Sequence, residues 1–192
     1  ALDPLGAYDI PPACDAVRRW LTLDRLIAEE RVREDMEPLP GRARLNLARE
    51  MARTMDRLLV EEKQVSDLWE SDAVLDSVAG LAEHWKRAIR LFARVNVRWQ
   101  AELAERGQVD GATRRNLLFA AAAKRWKEAP PPHPIVAAGV TSAAPALARL
   151  LRVIADLPQG AVILPDLDRE LDAAAWDELG LAGASAEPGG PV

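Results

Sequence analysis

Residues 133–168 read HPIVAAGVTSAAPALARLLRVIADLPQGAVILPDLD. Ile135-Val136-Ala137-Ala138 is apolar, too short for a helix, and bounded by Pro134 and Gly139, so it is expected to be a buried strand. Thr141 or Ser142 then caps a helix, at about 144–155, whose inward face holds Leu147, Leu150, Leu151 and Ile154. Pro158-Gln159-Gly160 turns the chain into a second apolar strand, Ala161–Leu164. A helix joining two strands of this kind implies a right-handed βαβ unit with a parallel pair. α/β proteins build nucleotide sites in this order, so the stretch is either such a site or only its scaffold.

The chain before it follows a different period. Pro11 and Pro12 open a first helix, to about Asp35, with Val17, Trp20, Leu21, Leu23, Leu26 and Ile27 as its apolar face. MEPLPG, 36–41, breaks it. A second helix, about Arg42 to Lys63, repeats Leu47, Met51, Met55, Leu58 and Leu59. SDLWESD, 66–72, starts a connection, and a short helix is expected to follow to Val78. In the third helix Leu81, Trp85, Ala88, Phe92, Val95, Trp99 and Leu103 form a seam at helical spacing, ending at Glu105-Arg106-Gly107. Asp110 is expected to cap a fourth helix with Leu117, Leu118, Ala121 and Trp126 inside. APPPHP, 129–134, is a rigid linker.

The expected architecture is therefore mainly α with a small α/β part: a helical domain at 1–129, a βαβ segment at 130–180, and a disordered tail at 181–192. Two parallel strands make a marginal sheet, so the α/β piece is expected to belong to a larger one. In isolation it should self-associate, or cover an edge with residues 1–12.

Composition sets further bounds. The 192 residues are 49% hydrophobic and 29% charged, as in globular proteins. No apolar run approaches the roughly 20 residues of a membrane span, and the first residues lack the basic and apolar regions of a secretory signal. With Cys14 alone, an internal disulfide or a thiolate metal cage is excluded. The net charge of −5 is unevenly spread: −6 over 1–79, +7 over 80–127 and −6 over 128–192. The basic middle is either an anion-binding surface or an internal match to its acidic flanks. Arg87, Arg90, Arg94 and Arg98 fall within about 80° of one another on the third helix. They are the candidate nucleic-acid contacts; a solvated or internally paired face is the alternative.

Catalytic signatures are sparse. A P-loop needs a Gly-Lys pair, and the sequence has none; GxGxxG is absent as well. Backbone amides at the start of the 144–155 helix could hold an anion weakly, an ordinary N-cap being the simpler reading. His84 and His133 lie in separate segments, which leaves no recognisable metal cage or nucleophile triad. Asp166, Asp168, Glu170 and Asp172 follow the second strand, where open sheets place functional groups, but Asp166 or Asp168 suits helix capping. Trp20, Trp85, Trp99, Trp126 and Trp176 fall in apolar registers and are expected in the core, whereas Trp69 sits in a connection.

The segments AEHW, LAERG-x-x-D-x-x-x-RRN and LPQGAVILP-x-LDREL resemble the AddB family, the double-strand-break repair subunit of the AddAB helicase–nuclease, in its alphaproteobacterial form. The likeness covers about residues 10–180. It implies a fragment of a much longer, cytoplasmic DNA-repair protein. The helical body would be an insertion on a degraded helicase motor, and the α/β piece part of its RecA-like sheet. Where an active motor carries an Asp-Glu pair for Mg²⁺ and water, this chain has Ala138-Gly139. The family's iron–sulfur cluster, Mg²⁺ and nuclease residues would lie outside this sequence. The implied role is non-catalytic scaffolding, with an AddA-type subunit and DNA as partners. The alternatives are a free-standing helical interaction module and a small α/β enzyme acting through Asp166 or Asp168.

Overall fold

The computed structural model describes residues 9–65, 79–142, 144–165 and 170–178. It is mainly helical with a two-stranded parallel sheet, the fold class the sequence leads one to expect. The elements are α1 (Ala16–Arg33), α2 (Gly41–Val60), α3 (Ala79–Glu105), α4 (Gly111–Glu128), β1 (Ile135–Ala138), α5 (Pro145–Asp156) and β2 (Gly160–Ile163). The chain divides into two units, 1–122 and 123–192, with the division inside α4.

In the first unit α1 packs against both α2 and α3. The core is Leu23, Leu26 and Ile27 from α1, Ala48, Met51, Ala52 and Met55 from α2, and Leu91, Phe92, Val95, Trp99 and Leu103 from α3. Fully burying an aliphatic or aromatic side chain of this size contributes roughly 1.5–3 kcal/mol. The helix ends are closed by local chemistry. Asp15 accepts from Val17 N and Arg18 N and so caps α1. α1, α2 and α3 finish in Schellman turns, where Met36 N bonds Arg31 O, Lys63 N bonds Leu58 O and Gln108 N bonds Leu103 O. The left-handed residue at these turns is Asp35 (φ 50°), Glu62 (φ 53°) and Gly107 (φ 59°). Residues 10–14 are tied to the α3–α4 turn: Cys14 N bonds Val109 O, Val109 N bonds Pro12 O, and Arg114 Nη1 donates to Pro11 O.

Several inward assignments shift. Val17 and Leu21 of α1 face outward, as do Trp85 of α3 and Leu117 of α4. Ile89 and Leu91 are buried, whereas Trp85 and Ala88 of the expected α3 seam are exposed. The reason is geometric: α1 lies between two helices, so the core side of each element is set by its neighbours rather than by its widest apolar stripe. Trp69, the 66–72 connection, the short helix before Val78 and the 181–192 tail lie outside the described residues, and so does the side chain of Leu81.

In the second unit β1 and β2 pair in parallel, Ile135 opposite Gly160 and Ala138 opposite Ile163, with α5 as the crossover. Pairing in parallel is as expected; β2 begins one residue earlier, at Gly160. α5 buries Ala146, Leu150, Val153 and Ile154, so Leu147 and Leu151 are flank rather than centre. Its N-cap is Ala144, with Pro145 at the first helical position, in place of Thr141 or Ser142; Ser142 Oγ accepts from Ala144 N at 3.4 Å. The strands are not buried on both faces. Ile135, Ala137, Gly160 and Val162 are partly covered, and Val136, Ala138, Ala161 and Ile163 are exposed.

Gly160 fits because it lacks a side chain. A Cβ there would stand 1.7 Å from the Ile154 carbonyl oxygen.

Candidate functional site

The arginine stripe of α3 splits in two. Arg98 reaches α1, with Nη2 donating to Glu29 Oε2 at 2.5 Å and Nη1 to Glu30 Oε1 at 2.9 Å. Arg94 pairs with Glu34, also from the end of α1. Arg87 and Arg90 are exposed, and neither has an ion-pair partner among the described residues. So half of the stripe is an internal match between a basic helix and an acidic one, and the other half is open to solvent.

The pairing extends along the α1–α3 seam. Arg25 donates to Glu29 at 2.9 Å and to Glu102 at 2.5 Å, Arg33 to Glu30 at 2.8 Å, and Arg106 to Glu102 at 2.7 Å. Glu30 is buried at 2% exposure, and two guanidiniums, those of Arg33 and Arg98, donate to its Oε1. The hydrogen bonds from Arg98 and then Arg25 hold the Glu29 carboxyl below its ordinary range. They raise both guanidiniums in turn: Glu29 is the leading cause for Arg98 and for Arg25. Arg44 forks onto both oxygens of Asp24 at 2.9 and 3.0 Å and is raised by that bond.

A second polar cluster lies inside the helical unit. Asp110 is 1% exposed and accepts from Trp99 Nε1 at 2.9 Å and Gln100 Nε2 at 3.2 Å. Its backbone carbonyl opens α4 by accepting from Arg114 N, but its carboxylate turns inward instead of capping the first-turn amides. Arg19, 7% exposed, crosses the same space: Nη1 donates to Asp56 at 2.6 Å, Nη2 to Ala52 O at 3.3 Å, and the guanidinium lies 5.9 Å from the Trp99 ring centroid. Arg19 Nε stands 3.1 Å from Asp110 Oδ1 without hydrogen-bond alignment, so that contact is a charge pairing. Nothing in the spacing of Arg19, Asp56 and Asp110 announces this cluster.

The remaining candidates are scattered. His84 and His133 are both exposed and lie in separate units. Asp166 and Asp168 lie outside the described residues. The helical turn at 173–178 is capped by Asp172, whose Oδ1 accepts from Ala175 N at 2.8 Å. Trp176 is 42% exposed rather than in a core, while Trp20 and Trp126 are half-buried. Burial pushes the Cys14 thiol up, away from the thiolate. β1 ends at Ala138 with Gly139 in the left-handed region (φ 71°). Among the described residues, no three His, Cys, Asp or Glu side chains gather as a metal site, and no helix is long and apolar enough to cross a membrane.

Compared with protein-family models, curated proteins and solved structures, the chain matches none.

Proposed function

We propose that this chain is a non-catalytic scaffolding segment of an AddB-like DNA-repair subunit, holding an AddA-type partner subunit and contacting DNA. The observation that carries the reading is the half-covered parallel sheet. Parallel strands occur almost always in sheets covered on both faces and extended by further strands. Here α5 covers one face, while Val136 and Ile163 are 57% and 58% exposed on the other. A sheet of this kind suits a place inside a larger RecA-like domain. Ala138-Gly139 at the end of β1 offers no carboxylate for Mg²⁺, which favours structure over ATP chemistry there.

DNA contact, in this reading, rests on Arg87 and Arg90, because Arg94 and Arg98 are engaged by Glu34, Glu29 and Glu30. Two phosphate contacts give a slope of about −2 in log K against log salt on duplex DNA. The experiment is fluorescence anisotropy with duplex DNA over a salt series, alongside light scattering of the chain mixed with an AddA-type subunit. A stable 1:1 complex, and a slope flattened by about two in Arg87→Ala/Arg90→Ala, support the proposal. Separate components on mixing would overturn the partner role; undetectable binding at low salt would overturn the DNA role.

A further inference from the structure

A cleft of about 810 Å³ opens between the start of α1, the second half of α2 and the start of α4. Four arginines line it: Arg19, Arg49, Arg53 and Arg115. Two of them are answered by carboxylates, Arg19 by Asp56 at 2.6 Å and Arg53 by Glu50 at 2.5 Å. Arg49 and Arg115 have no carboxylate partner among the described residues. Aromatic faces position them instead. The Arg49 guanidinium lies 4.9 Å from the Trp20 ring centroid, and that of Arg115 lies 5.8 Å from Phe119 while donating to Asn116 Oδ1 at 3.2 Å. A guanidinium laid on a ring keeps its charge and most of its N–H donors.

The same cleft includes Gly111 and Ala112, the first residues of α4. The side chain best placed to cap them, Asp110, spends its carboxylate on Trp99 and Gln100. The first amides of α4 therefore keep their donors free of the Asp110 carboxylate, beside Arg115, one turn further along. Two unneutralised guanidiniums from different helices and one uncapped helix start converge on a single concave space. Their shared complement is a compact, doubly charged oxyanion. The volume exceeds that of a bare phosphate and lies in the range of small-molecule sites.

We propose that this cleft binds the phosphomonoester group of a ligand, with Arg49, Arg115 and the first amides of α4 as its donors. A small phosphorylated molecule and the 5′-phosphate end of a nucleic-acid strand share that chemistry. The site is separate from Arg87 and Arg90 and does not depend on the helicase–nuclease reading.

The test is calorimetric titration of the intact chain at low ionic strength. The probes are inorganic phosphate, ribose 5-phosphate, and a short single-stranded oligonucleotide with and without a 5′-phosphate. Saturable binding of phosphate and ribose 5-phosphate is expected, weakened about tenfold or more by Arg49→Gln or Arg115→Gln. The Arg87→Gln/Arg90→Gln variant should bind as the parent does. Arg49 is exposed, so its variant is expected to fold, and its melting curve checks this. Oligonucleotide binding that requires the 5′-phosphate and exceeds ribose 5-phosphate would identify the strand end as the source; parity or weaker binding would identify the small molecule. Equal oligonucleotide binding with and without the terminal phosphate would likewise assign the small molecule as the source, and the proposal is overturned if neither inorganic phosphate nor ribose 5-phosphate saturates, or if the Arg87/Arg90 variant loses as much as Arg49→Gln.

Discussion

The Trp99 indole N–H donates to Asp110 Oδ1 at 2.9 Å, and both residues are at most 1% exposed. The bond crosses the α3–α4 turn and joins the largest fully buried side chain to a buried carboxyl group. The turn itself is set by Gly107 in the left-handed region, which lets the chain reverse and bring Asp110 back onto α3.

Asp110→Ala is expected to destabilise the helical unit by about 1–3 kcal/mol, because it leaves the buried Trp99 N–H without its acceptor and removes one of the two carboxylates beside Arg19. Trp99→Phe should cost less per lost hydrogen bond, and the double variant should cost less than the two single losses added together. Urea unfolding followed by far-UV circular dichroism measures all three. Additive losses would show that the contact carries no coupling.

Glu29 makes the stability pH-dependent in a defined direction. Its folded value lies below the ordinary 4.5, because Arg98 and Arg25 bond the charged form. Its contribution is therefore complete above about pH 4.5 and declines as the pH falls through the lower, folded value. Glu29→Gln should lower the neutral plateau of a melting temperature–pH curve and flatten its acid limb, the two curves converging at low pH. Since the group is more than a third exposed, high salt should shrink the effect.

Gly160→Ala should disrupt the second unit. The added methyl would sit 1.7 Å from the Ile154 carbonyl oxygen, a backbone atom that cannot rotate away. Relief requires moving β2 off α5, so a loss of several kcal/mol, or failure of the unit to fold, is expected. Hydrogen exchange should show faster exchange of the β1 and β2 amides while those of α1, α2 and α3 keep their protection.

Asp35→Gly should stabilise the protein by up to about 1 kcal/mol. Asp35 holds φ 50° at the end of α1, where a residue with a Cβ is strained and glycine is not. The gain is offset in part by the greater chain entropy of glycine in the unfolded state. Thermal melts at several urea concentrations would measure it, and a lower melting temperature would contradict the strain argument.

The sequence by itself determined the element types and their order. Leu23, Leu26 and Ile27, and then Met51 and Met55, repeat at the helical period, while Ile135–Ala138 is too short and too tightly bounded to be anything but extended. These are local properties of the chain, and a periodic apolar pattern can be read without its partner. What the tertiary structure decided is which side of each element faces inward and what each charge meets. Arg98 and Glu30 are 68 residues apart, and Arg19 and Asp56 are 37 apart. No spacing rule links them; packing α1 between α2 and α3 does. The same packing left Trp85 outside and Trp99 inside, although both lie on one seam, because a helix buries only the arc its neighbours cover. It also drew the Asp110 carboxylate inward to the Trp99 N–H, since a buried donor without an acceptor costs more than an uncapped helix start beside water.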